Sequence, residues 1–63
     1  MNDKHIITNV SCDEAEAQRK ANDYARRVFG DSVVSVGRTN LPAKAAARAP
    51  GEFIFEFEVK LRS

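Results

Sequence analysis

The chain has 63 residues, with ten Lys plus Arg against nine Asp plus Glu, a net charge of +1, one cysteine and one histidine. One cysteine excludes an internal disulfide framework, and the lack of any Cys-x-x-Cys or His-x-x-x-His spacing excludes an ordinary structural zinc site. A domain this small buries only about 60% of the surface its unfolded chain exposes, so the remaining way to complete a core is association, and a homo-oligomer is expected.

Residues 4–10, KHIITNV, read as a first strand with Ile6, Thr8 and Val10 on one face and His5, Ile7 and Asn9 on the other. Helix 12–29 follows. Ser11 and Glu14 have the capping-box spacing, Asp13, Glu14 and Glu16 crowd the first turn, Arg26 and Arg27 close the last, and Gly30 is the stop. Its apolar stripe runs Ala17, Ala21, Tyr24, Ala25 and Val28 with Phe29 alongside, and the alanines predict a close approach to whatever lies beneath. Glu16–Lys20 and Asp23–Arg27 are solvated i,i+4 pairs on the outer face.

SVVSVGR, about 32–38, is a second strand, and EFIFEFEVKLR, 52–62, a third. The third alternates strictly: Phe53, Phe55, Phe57, Val59 and Leu61 on one face, Ile54, Glu56, Glu58, Lys60 and Arg62 on the other. Between them lies a long connection broken by Pro42 and by Pro50-Gly51. The order β-α-β-β makes the first two strands parallel and places the longest, most aromatic strand between them. The expected fold is therefore α+β: a split βαβ unit with a three-stranded sheet in spatial order 1-3-2 and one helix on the Phe face, forming a single domain over 1–63. A helix of about 18 residues cannot cover such a sheet, and two edges stay open. The bare face or an edge is expected to meet another copy.

The β-α-β-β order, the length, the Ser11-x-x-Glu14-Ala15 start of the helix and a long last strand ending in VKLR resemble dodecins, small flavin-storing proteins that assemble into hollow dodecamers through their sheets. The resemblance implies that architecture. Dodecins that bind flavin stack it on a tryptophan of the second strand; this chain has no tryptophan, and Ser32 and Val33 stand near that place. The resemblance therefore implies the assembly without the flavin, and no cofactor is expected.

Candidates for catalysis are few. Cys12 would sit in the helix's first turn, but Asp13, Glu14 and Glu16 oppose a thiolate there, and His5 lies on a different element. Glu56 and Glu58 share a face, followed on it by Lys60 and Arg62, which reads as an ionic sheet surface rather than an acid–base pair. With no phosphate-binding Gly-rich turn and no Ser-x-x-Lys, the chain reads as a non-enzyme. No apolar run approaches the roughly 20 residues of a membrane span, and no signal-peptide core follows Met1. A cytoplasmic protein without a membrane partner is expected.

The distinctive segment is the connection. Residues 32–51 carry Arg38, Lys44 and Arg48 and no acidic residue, which leaves the rest of the chain net negative. Its length suggests function, and the AKAAAR core has helix propensity that would put Lys44 and Arg48 on one side. With Thr39 and Asn40 the inventory suits phosphate oxygens. The predicted ligand site is Arg38, Thr39, Asn40, Lys44 and Arg48. The predicted function is a non-catalytic homo-oligomer that binds or sequesters a phosphate-bearing small molecule, of nucleotide or cyclic nucleotide type, in the manner of a phage-type inhibitor. The alternatives are a dodecin-like cofactor store, or an inhibitor that covers a nucleic acid or an acidic protein surface. Nucleic acid ranks lower because the Phe residues face the core instead of offering stacking platforms.

Overall fold

The computed structural model describes residues 3–62. Its elements are β1 (Asp3–Ser11), α1 (Glu14–Phe29), a 3-10 turn (Gly30–Ser32), β2 (Val33–Arg38), β3 (Lys44–Ala45) and β4 (Phe53–Leu61). β4 is central. β1 pairs along its whole length, from Asp3 opposite Leu61 to Ser11 opposite Phe53, while β2 and β3 share the other edge, and all these pairings are antiparallel. The sheet thus has the expected last-strand-central order, but four strands rather than three.

The added strand is β3, and it overturns the expected helix in AKAAAR. Lys44 pairs with Ile54 and Ala45 with Phe53. A six-residue segment between Pro42 and Pro50 is too short to repay helix nucleation, whereas the start of β4 offers backbone groups that need partners. The turn proper is 46–52: the Ala46 N–H bonds the Glu52 carbonyl and the Glu52 N–H bonds the Ala49 carbonyl. Gly51, at φ 83°, takes its left-handed corner.

The helix begins two residues later than expected. Asp13, not Ser11, is its cap, and the Asp13 carboxylate accepts the Glu16 N–H at 2.7 Å. Such a cap contributes about 1 kcal/mol. Ser11 is fully buried at the end of β1, where its hydroxyl donates to Asn9 Oδ1. At the other end Gly30 stops the helix at φ 61°, its N–H on the Arg26 carbonyl.

Residues opposite one another in an antiparallel ladder share a face. The helix side of the sheet holds the odd-numbered residues of β1 and β4, with Val36 and Arg38 of β2. Ala17 and Ala21 pack on Phe55 and Phe57, and Ala25 on Val59 and Leu61, with Ile7 and Val36 closing the flanks. Tyr24 and Val28, expected in the stripe, are half exposed. Contact rests on alanines four apart, and this narrow stripe excludes their neighbours. At the hairpin end Phe53 stays 39% exposed because the buried stripe begins only at Ala17, over Phe55.

The molecule is long for its mass. Its radius of gyration is 12.0 Å, against about 10.5 Å for a compact chain of this length. Its accessible surface is 4553 Å², whereas a typical 7.0-kDa monomer has about 4000 Å². Among the described residues no helix is long and apolar enough to cross a membrane.

Candidate functional site

Among the described residues no helix covers the second sheet face. In rows across β1, β4 and the shared edge it reads Lys4, Lys60 and Ser35; Ile6, Glu58 and Gly37; Thr8, Glu56 and Thr39; Val10, Ile54 and Lys44. Ile6, Val10 and Ile54 are 56%, 40% and 39% exposed. Polar contacts confirm the face: the Thr39 hydroxyl donates to Glu56 Oε1 at 2.7 Å, and Lys60 Nζ lies 3.9 Å from Glu58 Oε1.

The five residues predicted as one ligand site are divided between structural and exposed roles. Thr39 is bonded to the Glu56 carbonyl and Lys44 is paired with Ile54, so residues 40–43 all stand opposite Phe55. They form a wide bulge, and two of the predicted residues build it. From the helix side, Arg38 Nη2 donates to the Leu41 carbonyl at 2.8 Å. From the open side, the Thr39 hydroxyl accepts the Leu41 N–H at 3.2 Å. Pro42 has no N–H to lose in such an excursion. The Arg38 guanidinium lies 5.0 Å from the Phe55 ring centre and 6.0 Å from that of Phe57, with Nη1 3.6 Å from Glu14 Oε1. Arg38 thereby roofs the core where the helix runs out, and its Nε is buried with no hydrogen-bond partner among the described residues.

This placement has a measurable consequence. An arm waiting in solvent would cost within about 0.5 kcal/mol on removal. A guanidinium stacked on two rings and bonded to the bulge is worth roughly 2 kcal/mol. Arg38→Ala is expected to lower unfolding free energy by about that amount in urea titration, and Arg38→Lys to recover less than half, since an ammonium cannot lie flat on both rings.

Asn40, Lys44 and Arg48 are exposed: Asn40 in the bulge, Lys44 on the open face beside Ile54, Arg48 in the turn. Among the described residues none of the three is in an ion pair. The expected pairing of Lys44 and Arg48 on one helical side is replaced by a strand position and a turn position. The row Val10, Ile54, Lys44 was missed as a unit. Alternation marks Val10 and Ile54 as outward, but only the register sets them side by side.

The helix guards both sheet edges. Gln18 Nε2 donates to the Val36 carbonyl at 3.0 Å and Lys20 Nζ to the Val10 carbonyl at 2.9 Å. Beside them run two open grooves. One, of about 530 Å³, is bounded by Asn22, Arg26, Asp31 and β2; the other, of about 220 Å³, is lined by Ile7, Lys20, Ala21 and Tyr24. Cys12 and His5 are far apart along β1: His5 is level with Val59 and stacks on Phe29 at 4.8 Å, whereas Cys12 follows Ser11, level with Phe53. No protein-family model, curated protein or solved structure matches the chain.

Proposed function

We propose that the chain is a cytosolic, non-catalytic, homo-oligomeric protein that binds a phosphate-bearing small molecule of nucleotide type at the hairpin end of its open sheet face. The observation that carries this reading is the row Val10, Ile54, Lys44: two exposed apolar side chains with a cation at their edge. A flat base needs an apolar platform, and its phosphate needs a charged donor within reach. Arg48 in the turn and Asn40 in the bulge supply further donors at the same end. Arg38 and Thr39 serve this site indirectly, by holding the bulge.

A charge-assisted contact contributes about 1.5–3 kcal/mol. Lys44→Glu is therefore expected to weaken nucleoside monophosphate or cyclic nucleotide binding at least about tenfold by titration calorimetry, with the circular dichroism spectrum unchanged. A titration of the parent protein to millimolar nucleotide with no saturable heat rules the ligand out.

A dodecin-like store for an aromatic cofactor is the second reading, favoured by the half-exposed Tyr24 beside the apolar groove over Ile7 and Ala21. It requires the protein to take up flavin in solution, seen as quenched flavin fluorescence.

A further inference from the structure

The remainder of the open face carries a pattern that the ligand does not explain. Along β4 and just past its end, four successive outward residues are Glu56, Glu58, Lys60 and Arg62: two acids, then two bases. Such a string is complementary to its own reverse. We infer that this half of the open face is a two-fold interface between copies of the chain, packed face to face with the symmetry axis crossing the strands. The inference rests on the homo-oligomeric part of the proposed function and is independent of the ligand.

With the strands of the two copies aligned and β4 laid over β4, two symmetric ways exist to lay one sheet face on its copy. With the axis along the strands every residue of β4 meets its own equivalent, so Glu56, Glu58 and Lys60 each face a like charge. With the axis across the strands the copy is reversed. Centring it between Glu58 and Lys60 puts Glu58 over Lys60 and Glu56 over Arg62 of the copy, four opposite-charge contacts per pair. Like charges in an interface select against a packing as strongly as opposite charges select for one. Only the second arrangement survives.

The flanking strands fit that arrangement independently. In β1, Lys4 is level with Lys60 and Ile6 with Glu58. The reversed copy therefore lays the Lys4 stem over Ile6, the most exposed of the apolar residues on this face, which suits a side chain with an apolar stem and a charged tip. At the other edge, Ser35 comes over Gly37 of the copy. Among the described residues a Cβ at Gly37 would meet nothing within 4 Å, so no packing against them calls for glycine there. Glycine inside a strand marks a place where another backbone comes near, and a Gly37–Ser35 seam lets the two sheets approach.

The area sets the strength. The overlap, residues 56–62 of β4 and their neighbours, is about 23 Å of strand by about 14 Å of sheet width, a few hundred Å² per copy, short of the roughly 800 Å² a side of a standard interface. The pair is therefore concentration-dependent and weakened by salt. The arrangement leaves Val10, Ile54 and Lys44 at the two outer ends, clear of the seam.

Sedimentation equilibrium at about 100 μM protein and low salt, where an interface of this size is populated, is expected to give a dimer that dissociates in high salt. Glu58→Lys and Lys60→Glu are each expected to be monomeric, while a mixture of the two forms a one-to-one heterodimer visible by native mass spectrometry. The double variant Glu58→Lys/Lys60→Glu restores both charges in exchanged positions and is expected to dimerise, which separates charge matching from damage to the fold. Gly37→Val is expected to fold at least as stably, valine being the better strand former, yet to dimerise more weakly. If the single variants still dimerise, or their mixture yields no heterodimer, this interface is overturned even where the protein is oligomeric. A monomeric parent protein overturns the self-association itself. Lys44→Glu leaves the dimer intact, so failure of the ligand reading is read separately.

Discussion

Phe57→Ala is expected to abolish the cooperative unfolding transition at room temperature. Phe57 is fully buried in the middle of the central strand, against Ala17 and Ala21 of the helix and beneath the Arg38 guanidinium. Truncating a buried Phe costs about 3–5 kcal/mol. A chain of this length has ~3–9 kcal/mol of stability in total, and a small domain lies toward the lower end. The cavity cannot be filled from the sides, because β1 and β2 pair with β4 across both edges and fix the neighbouring side chains. Phe53→Ala is the internal control: same strand, same face, but 39% exposed beyond the buried part of the helix, so its cost is expected near 1 kcal/mol. A urea titration followed by far-ultraviolet circular dichroism distinguishes the two. If Phe57→Ala unfolds within about 1 kcal/mol of the parent, Phe57 is not the centre of this core.

Ala21→Leu is expected to be nearly as damaging, from the opposite cause. Ala21 is 1% exposed and lies between Ala17 and Ala25, both 0% exposed. Nothing larger than a methyl separates helix from sheet along this stripe. Extra carbons there either force side chains from their rotamers or lift the helix, at typically 1–3 kcal/mol. Lifting it also strains two bonds that fasten the helix to β1, Asn9 Nδ2 on the Ala17 carbonyl at 3.0 Å and Lys20 Nζ on the Val10 carbonyl at 2.9 Å. About 3 kcal/mol at the upper end corresponds to a fall of roughly 12–24 °C in Tm for a chain this small. Ala15→Leu, on the exposed side of the first helical turn, is expected to shift Tm by only a few degrees.

The sequence makes the central strand legible because its signal is long and unambiguous: five apolar residues in strict alternation from Phe53 to Leu61. The helix end is equally plain, since Gly30 meets a conformational demand that few residues can. Its start is not. Ser11 precedes Glu14 by three and Asp13 precedes Glu16 by three, so two caps fit the same rule. The choice falls to Asp13 because β1 keeps Ser11 in the ladder opposite Phe53. Tertiary demand also overrides propensity at Lys44–Ala45, where the free edge of β4 outweighs an alanine-rich preference for helix. Arg38 shows the limit most clearly. Its charge marks it as a ligand arm, but its face depends on the pairing of Arg38 with Phe57, and pairing register is not written in either strand alone. Once that register is known, the same side chain is a lid over two aromatic rings.

Among the described residues β1 and β2 each take their ladder partners from β4, residues 53–61, and do not pair with each other. During synthesis, β1, α1 and β2 must therefore wait on the ribosome without a common sheet until the last of these elements emerges. Once β4 is available, the nearby 46–52 turn lets β3 and β2 zip onto it first, with little loop to close. The long-range join of β1 then comes late and sets the pace of folding. Until then Ile7 is unshielded in the nascent chain and the two core clusters it packs against stay open along the β1 side, which makes that interval the one in which a holding chaperone has most to grip.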